Sequence, residues 1–376
     1  MVKEPSFTFG IEEEYHLVDL RSRDLVAAPQ ALMDALATRL GERVSPEFLR
    51  SQVEVGTSVC RSFQEARGEL GRLRRAVASL AGEYGIAPMA VGTPPIGRWT
   101  VLETTPKARY QELARDLAAV GQRLVICGMH VHVGIEDDEL RIDIMNQMRY
   151  FLPHLLVLST SSPFWEGRDT GLKSYRLAVS QEGPRNGMPG RFDNWAEYQG
   201  TVDVLVRAGV MEDATKIWWD LRPSARFPTL EMRITDVAPR IDDAVAIAAL
   251  YVCLCRMLYR LRRANLSWRT YPVFLLSENR WRAQRYGVEG SLFDFGKGSL
   301  VPYRDLLEEI LALVDEDAHA LGCAAEVRHT RRIAAEGTSA DRQLALFRQA
   351  LADGASEYEA LQRLVDALVA ETLAGT

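Results

Sequence analysis

Two periodicities of apolar and polar residues run along the chain and predict its strands and helices. Alternation of the two types, which is typical of a strand with one buried face, marks the segments 7–19, 51–55, 125–135 and 229–237. Apolar residues at three- and four-residue spacing predict helices instead. The clearest predicted helices are 62–85, 106–120, 139–158, 195–214, 241–264, 302–321 and 340–373.

Capping and breaking residues sharpen some of these boundaries. Ser62 is placed to cap the helix that follows it, and Glu65 to complete a capping box. Pro153 is expected to end or kink the helix 139–158. The polar, glycine- and proline-rich passage 159–194 is predicted to be a long loop, which in a compact domain is usually functional or disordered. Its part 183–194 is either a lid or a disordered surface loop.

The four predicted strands each carry polar side chains on one face. Because successive side chains of a strand point to opposite faces, residues two apart share a face. The polar faces hold Glu12, Glu14 and His16; Gln52 and Glu54; His130 and His132; and Glu231, Arg233 and Thr235. Glu13 is the exception, because it lies on the apolar face of the first strand.

The composition is that of an ordinary globular protein. The 376 residues are 47% hydrophobic and 26% charged, and the net charge of −6 disfavours a nucleic-acid partner. The most apolar stretch, 244–255, is shorter than the roughly 20 residues of a membrane span, so we expect no membrane partner. Five scattered cysteines without CxxC spacing predict reduced thiols and a cytoplasmic protein. A homodimer is the expected assembly if the chain is an oligomer, since most soluble oligomers are homo-oligomers and dimers are the commonest.

The polar faces indicate a metal site if the strands are neighbours. A solvated sheet face fits each strand taken singly, but carboxylates gathered on one surface repel each other unless protons, cations or arginines neutralise them. Carboxylates with one or two imidazoles suit a hard divalent ion such as Mg²⁺ or Mn²⁺. The sequence has no P-loop, no GxGxxG after a strand, and neither HExxH nor GxSxG. If ATP binds, metal ions and arginines must therefore hold its phosphates.

An ordered set of segments resembles the type 2 glutamate–cysteine ligase family, whose members are also described as carboxylate–amine ligases. The resemblance extends from about residue 6 to about residue 345. It rests on GIEEEY (10–15), QVE (52–54), GMHVHVG (128–134), WWDLRP (218–223), LEMRITD (230–236), ENRW (278–281) and ADRQ (340–343). Each short motif is weak, but the ordered set is specific.

The resemblance implies an α+β fold like those of glutamine synthetase and the guanidino kinases. Such a fold has a curved, mainly antiparallel sheet, with helices on its outer face and the metal and nucleotide on its concave face. We found no linker, so residues 1–376 are expected to form a single catalytic domain. The implied reaction joins a carboxylate to an amine through an acyl phosphate, with ATP and Mg²⁺ or Mn²⁺. Glutamate and cysteine are the expected substrates.

The resemblance also implies a role for individual residues. Metal ligands are expected at Glu12, Glu14, Glu54, His130 and Glu231. Arg233 is expected to bind the transferred phosphate and, with Glu54, to take part in catalysis. The remaining cofactor-binding residues are expected at Arg222, Arg226 and His132, where the arginines hold a phosphate or a substrate carboxylate and His132 is a ligand or supports one.

Three other functions remain open at this point. A kinase of the same fold would phosphorylate a carboxyl or guanidino group without an amine step. A regulator would bind metal or nucleotide without chemistry, although such a module needs fewer acids than the four strands carry. A hydrolase is also compatible, because metal, carboxylates and a basic residue can activate water.

Overall fold

The computed structural model of the protein describes residues 3–376, except for the side chains of residues 101 and 109. The strands form the centre of the molecule. The strands are β1 (Phe9–Asp19), β2 (Val44–Pro46), β3 (Gln52–Gly56), β4 (Ile86–Met89), β5 (Met129–Gly134), β6 (Phe164–Trp165), β7 (Arg168–Asp169), β8 (Asn186–Gly187), β9 (Trp218–Trp219), β10 (Leu221–Pro223), β11 (Thr229–Met232), β12 (Ser291–Asp294) and β13 (Ser299–Pro302).

Helices surround this centre and make up most of the carboxyl-terminal third. They are α1 (Gln30–Leu40), α2 (Phe63–Gly82), α3 (Ala108–Leu117), α4 (Ala119–Gln122), α5 (Asp138–Met148), α6 (Leu152–Ser159), α7 (Arg176–Ser180), α8 (Trp195–Arg207), α9 (Ile241–Arg263), α10 (Val273–Tyr286), α11 (Tyr303–Ala320), α12 (Ala324–Glu336), α13 (Ser339–Ala352) and α14 (Glu357–Leu373). Short 3₁₀ turns lie at Gly41–Arg43, Trp99–Val101, Ala214–Lys216 and Gly287–Glu289.

The central sheet has seven strands in the order β10-β11-β5-β1-β3-β2, and β4 pairs with the far end of β1. Every pairing within it is antiparallel. Strand β1 is long enough to pair with β5 through its first half and with β4 through its last residues. The predicted mainly antiparallel α+β fold is confirmed.

One face of the sheet is apolar and packs on helices. Phe9, Ile11 and Tyr15 of β1 are buried on this side, as the alternation predicts. Helix α9 packs beneath β5, and the Tyr251 hydroxyl donates to the Leu230 carbonyl of β11. Among the described residues α9 alone is apolar and long enough to cross a membrane, but 83% of its most apolar window is buried inside the protein. It is the core helix that the sequence predicts at 241–264.

Glu13 is buried on this apolar face, where an arginine neutralises its charge. The Arg74 side chain of α2 donates to both Glu13 oxygens, at 2.9 and 2.6 Å, and both side chains are fully buried. The Tyr15 hydroxyl donates to the same carboxylate at 2.5 Å. Glu13 therefore points away from the polar face, as predicted.

Several predicted helices are divided in two. The segment 139–158 contains α5 and α6, with Pro153 in the first turn of α6, where a missing N–H costs least. The segment 340–373 is interrupted before α14, where Gly354 has φ +88°. The segment 106–120 divides at Ala118, which has φ +48°. The helical pattern is correct in each case, but the periodicity does not register a single-residue break.

The amino-terminal cap of α2 differs in one detail from the prediction. Ser62 accepts from the Glu65 N–H at 3.2 Å, as expected. The Glu65 carboxylate, however, accepts from the N–H of Arg61, one residue before the cap, rather than from Ser62.

The passage 159–194 is not one loop, and that prediction is wrong. It contains α7 and the strands β6, β7 and β8, and Ser161 and Ser162 are fully buried. The Asp236 carboxylate accepts from the Ser161 N–H and from the hydroxyls of Ser162 and Ser174. The buried Asp236 side chain thus forms hydrogen bonds with polar groups that the sequence analysis expected to be exposed to solvent.

Candidate active site

The register of the sheet brings the polar faces of the four strands together. Glu14 lies opposite Glu54 across β1 and β3, and Glu12 lies opposite His130 across β1 and β5. His132 lies opposite Glu231, and Glu231 in turn lies opposite Arg222 of β10. Directly opposed side chains in antiparallel strands are close enough to interact. The residues that the sequence predicts for the site therefore form one continuous surface.

One end of this surface is acidic, and we call Glu12, Glu14, Glu47 and Glu54 the acidic end. Oxygens of Glu14, Glu47 and Glu54 lie within 4.8 Å of one another. Glu54 accepts from the Ser45 hydroxyl at 2.9 Å, and Glu14 accepts from the Gly128 N–H at 2.6 Å. Among the described side chains, no lysine or arginine lies within ion-pair distance of these carboxylates.

Burial and the crowding of negative charge raise the pKa values of two carboxyl groups at the acidic end. Burial, and then the charge of Glu14, raises the pKa of Glu47 to about 7. Burial also raises the pKa of Glu54 well above its usual value, and neighbouring carboxylates, Glu47 first, raise it further. Such carboxylates bind a proton or a cation more readily than an isolated one does.

The pKa values of His130 and His132 shift in opposite directions although the two residues are only two positions apart. Burial and the charge of Arg233 lower the pKa of His130, whose buried Nε2 has no hydrogen-bond partner among the described residues. For His132, burial lowers the pKa, but a hydrogen bond to Glu12 and the charge of Glu231 outweigh it and raise the pKa. His130 is thus a neutral imidazole with a ring nitrogen available as a ligand.

Glu12 stands between the two imidazoles. Its oxygens lie 3.3 Å from His130 Nδ1 and 3.4 Å from His132 Nε2. Burial raises the pKa of Glu12, but its hydrogen bonds to the histidines outweigh that effect and hold the pKa well below its usual value. Glu12 is therefore ionised at neutral pH.

The opposite end of the surface is basic, and we call Arg222, Arg226, Glu231 and Arg233 the basic end. Arg222 donates to both oxygens of Glu231, at 2.8 and 3.2 Å, and Arg233 also donates to Glu231. Burial raises the pKa of Glu231, but the charges of Arg233 and Arg222 outweigh it, so the pKa lies far below its usual value. Arg226 is exposed on the loop between β10 and β11.

A single cavity of about 500 Å³ spans the acidic and basic ends. Trp218 and Trp219 are half-buried in its wall, and the Arg185 guanidinium lies over the Trp218 ring at 5.3 Å. Phe227 is exposed at the rim, edge-on to His132. Every residue that the sequence predicts for the site lines this cavity: Glu12, Glu14, Glu54, His130, His132, Arg222, Arg226, Glu231 and Arg233.

Three sets of donor atoms within the cavity have the spacing of a metal site. In each set the ligand atoms lie within 4.8 Å of one another. The sets are Glu12, His132 and Glu231; Glu12, Glu54 and His130; and Glu14, Glu47 and Glu54. Oxygen-rich sets with one imidazole suit Mg²⁺ or Mn²⁺ better than zinc, so the residues present fit the ion that the sequence indicates.

Sequence reasoning missed Glu47, which follows the three-residue strand β2. Ser45 faces Glu54 across β2 and β3, and Glu47, two residues on, continues along the same side. The alternation is too short to recognise and is interrupted by Pro46. Lys216 and Arg176 also line the cavity, but they lie outside any strand pattern.

The segment 183–194 covers one side of the cavity and is held in place. Gly183, Pro184 and Asn186 line the cavity, and β8 pairs with β9. Farther along, the Asn146 side chain of α5 bonds both the N–H and the carbonyl of Phe192. The alternative of a disordered surface loop does not describe this segment, whereas its action as a lid stays a prediction.

Comparison with known proteins identifies close relatives. The family model "Glutamate-cysteine ligase family 2" matches residues 8–367. A protein of Rhodospirillum rubrum, provisionally named glutamate–cysteine ligase 2, is 59% identical over 99% of this chain and 97% of its own length.

Solved structures share the fold at low sequence identity. A bifunctional glutathione synthetase from Pasteurella multocida superposes with a TM-score of 0.70 at 15% identity, over 97% of this chain. This chain spans only 52% of that bifunctional protein. A glutamate–cysteine ligase from Francisella tularensis, solved with AMP, gives 0.68 at 13% identity, over 99% of this chain and 90% of that one.

Proposed function

The chain belongs to glutamate–cysteine ligase family 2 and is a ligase, and we propose that it uses ATP and Mg²⁺ to join the carboxylate of glutamate to an amine. Mn²⁺ is an alternative ion. The name of the relatives supplies cysteine as the first amine to test. We propose one catalytic domain and a cytoplasmic location, which the five free cysteines support.

One observation carries this proposal: the cavity holds unneutralised carboxylates at one end and paired arginines at the other. Glu14, Glu47 and Glu54 converge with no lysine or arginine of the described residues within ion-pair distance, whereas Arg222 and Arg233 converge on Glu231. ATP with a divalent ion carries both charges that this arrangement complements. A kinase or an ATP hydrolase would need the same two ends, and the family to which the chain belongs favours the ligase over both.

Glu12, Glu14, Glu47, Glu54 and His130 would hold the divalent ion or ions. When bound, such an ion neutralises phosphate oxygens and so reduces their repulsion of an incoming carboxylate. His130 supports this assignment because its buried Nε2 has no hydrogen-bond partner in the described part of the chain and its lowered pKa favours the neutral ring.

In the first step a carboxylate oxygen of glutamate attacks the γ-phosphorus of ATP. The bond between that phosphorus and the β,γ-bridging oxygen breaks, ADP leaves with the electron pair, and an acyl phosphate forms. Arg233 offers a fixed cation to the transferred phosphoryl group, and its hydrogen bond to Glu231 orients it. Arg222 and Arg226 bind the remaining anionic oxygens.

In the second step the amine nitrogen attacks the carbonyl carbon of the acyl phosphate. The carbon–oxygen bond to phosphate breaks, inorganic phosphate leaves, and the amine loses a proton to a carboxylate of the acidic end. Water must stay outside until this step, because it would hydrolyse the acyl phosphate. The walls formed by Trp218, Trp219 and the segment 183–186 support such exclusion.

The test is ADP release by the full chain with ATP, Mg²⁺ and glutamate across a panel of amines, with mass detection of the products. We expect ADP release that depends on the amine, together with a new amide. ADP without any amide would instead indicate a kinase or hydrolase, and no ADP with any pair would indicate a binding protein.

A further inference from the structure

The peptides of Arg233 and Ile234 lie just beyond the end of β11, which stops at Met232. Ile234 is fully buried, and peptide groups that are buried outside a sheet ladder need other hydrogen-bond partners. Glu231 holds the guanidinium end of Arg233, but the direction of this side chain also depends on its own backbone. The groups that hold the backbone therefore bear on the proposed phosphoryl transfer.

The N–H groups of both residues donate to one carbonyl, that of Asp220 between β9 and β10. The distances to the Asp220 oxygen are 2.8 Å from the Arg233 nitrogen and 3.1 Å from the Ile234 nitrogen. Asp220 is held in turn by Arg280 of α10, which donates to both oxygens of its carboxylate at 2.6 and 3.2 Å. Asp220 and Arg280 are almost fully buried, so this side of the two peptides is fixed.

The carbonyls of the same two residues accept from a single guanidinium. Arg176, the first residue of α7, donates from Nη2 to the Arg233 carbonyl at 3.2 Å and from Nη1 to the Ile234 carbonyl at 3.3 Å. Arg176 is only 6% exposed. Because the donors of a guanidinium form a planar fork, this one side chain holds two consecutive carbonyls in a fixed relation.

The surroundings of Arg176 leave its side chain little freedom to move. Its Nη1 lies 3.9 Å from an oxygen of Asp236, and its backbone N–H donates to the Ser162 hydroxyl at 3.1 Å. On another side the guanidinium lies so close to Gly128 that a Cβ atom at that position would overlap a terminal nitrogen. A glycine at position 128 is therefore required for Arg176 to reach the two carbonyls.

We propose that Arg176 is a positioning residue for the ligase reaction. It holds the carbonyls of Arg233 and Ile234 and thereby directs the Arg233 guanidinium toward the transferred phosphoryl group. The inference rests on the proposed function, in which Arg233 binds that group. Because Arg176 also lines the cavity, direct contact with an anionic substrate is one alternative, and a contribution to stability alone is the other.

Arg141 provides a matched control at the end of another strand of the sheet. From α5 it donates to the carbonyls of Ile135 and Glu136, which follow β5, at 2.9 and 3.3 Å. It is 3% exposed, pairs with Asp138 at 2.9 Å and is not among the described residues that line the cavity. Replacing either arginine by lysine keeps the charge beside an aspartate but removes the planar fork.

The first experiment needs no turnover and measures amide hydrogen exchange at single residues. We expect the Arg233 and Ile234 amides to exchange about tenfold faster or more in Arg176→Lys, because buried carbonyls without a donor favour local opening. The rates are divided by those of β1 amides in the same sample, which corrects for a general loss of stability. An unchanged ratio in Arg176→Lys, or an equal rise in Arg141→Lys, would overturn the inference.

Gly128→Ala is a second variant, which leaves the charge of Arg176 in place. Its methyl group excludes the guanidinium from the two carbonyls, so we expect the same rise in the exchange of the Arg233 amide. An unchanged exchange ratio in this variant would likewise count against Arg176 as the group that holds this peptide.

The second experiment measures kcat for ADP release per folded chain at saturating ATP, Mg²⁺, glutamate and amine. We expect Arg176→Lys to lower kcat about tenfold or more, since a displacement of about 1 Å at a reacting group can cost about 10²-fold. Arg141→Lys is expected to change kcat much less. Equal losses of kcat in the two variants would indicate a role in stability alone and overturn the inference.

A double-mutant cycle with Arg233→Ala separates positioning from direct contact with the substrate. If Arg176 acts through Arg233, adding Arg176→Lys to Arg233→Ala lowers kcat little further, and radiolabelled ATP makes the residual turnover measurable. An equal factor with and without Arg233 would show that Arg176 acts on its own, and would overturn the inference.

The outcomes separate the inference from the function on which it rests. Faster exchange with an unchanged kcat in Arg176→Lys would overturn the positioning role while leaving the ligase function intact. Absence of ADP from the native chain with every amine would overturn the ligase function and the catalytic part of the inference together. The exchange ratio would then still decide whether Arg176 holds the Arg233 peptide.

Discussion

The two ends of the cavity differ in what neutralises their carboxylates. At the basic end Glu231 accepts from Arg222 and Arg233, and its side chain is only 2% exposed. At the acidic end Glu14, Glu47 and Glu54 converge with no arginine or lysine within ion-pair distance among the described side chains. One carboxylate has its cations built into the fold, whereas the others require a cation from solution.

This difference indicates two roles for glutamic acid side chains of the protein on one face of the sheet. A neutralised carboxylate orients its arginines, and an unneutralised cluster attracts metal. Glu231 was predicted to be a metal ligand, and it does lie within reach of Glu12 and His132. Its two arginines give it a second use, as the anchor that positions Arg233, and we propose that this use dominates.

The largest expected effect comes from removing Arg233, the arginine that we propose binds the transferred phosphoryl group. Arg233→Ala is expected to lower kcat by about 10³ or more, because a fixed cation at that position stabilises the transition state. ADP release at saturating ATP and Mg²⁺ measures it. Arg226→Ala, which removes an exposed arginine without a side-chain hydrogen bond among the described residues, is the comparison and is expected to lose less. Retained turnover in Arg233→Ala would refute the assignment.

The buried ion pair of Glu13 and Arg74, on the opposite face of β1, is a carboxylate neutralised by the protein itself, away from the proposed metal site. Arg74→Met leaves Glu13 buried and unpaired, so we expect a loss of about 3–5 kcal/mol in the free energy of unfolding. Urea denaturation measures the loss. The Mg²⁺ concentration for half-maximal activity of the folded fraction should not change, since Glu13 faces away from the cavity. A shifted Mg²⁺ titration would contradict the separation of the two faces.

Glu12→Gln tests the proposed metal binding at the acidic end. We expect the Mg²⁺ concentration for half-maximal activity to rise about tenfold or more, because the loss of even a group that only supports a metal ligand typically weakens metal affinity about 10- to 100-fold. Glu231→Gln should instead lower kcat with a smaller change in the Mg²⁺ titration. Equal shifts in both variants would show that Glu231 serves mainly as a ligand, against our proposal.

The smallest expected effect is the pH dependence of metal stabilisation. The pKa of Glu47 is about 7 in the folded protein and near 4.5 when unfolded, so the folded state binds more protons between these values. Without metal, the contribution of Glu47 to stability therefore decreases as pH rises from about 4.5 to about 7. Mg²⁺ replaces the proton, and we expect it to raise Tm by a few degrees more at pH 8 than at pH 6. Equal increments at both pH values would argue against this carboxylate as a ligand.

Much of this comparison follows from the sequence because period-two alternation assigns residues to faces. Glu12, Glu14, Glu54 and His130 were assigned to the polar strand faces on that basis, and they do line the cavity. The register needed to pair Arg222 with Glu231 is not encoded in either strand alone. Glu47 was missed because the strand that precedes it, β2, is only three residues long.

The remaining features could not be predicted because they depend on hydrogen-bond partners that are distant in the sequence. Arg74 neutralises Glu13 from 61 residues away, and no local pattern connects them. The passage 159–194 was predicted as a loop, because its polar residues suggested solvent. Asp236 satisfies several of them inside the protein. Tertiary contacts of this kind override local composition.

The central claim is that a carboxylate oxygen of glutamate becomes bonded to phosphorus before the amine reacts. Glutamate labelled with ¹⁸O in both side-chain carboxylate oxygens, turned over with ATP, Mg²⁺ and the best amine, tests it directly by mass spectrometry. The account predicts one ¹⁸O in the released phosphate and one in the amide for each turnover. Phosphate free of ¹⁸O, with ADP formed, would contradict the acyl-phosphate route.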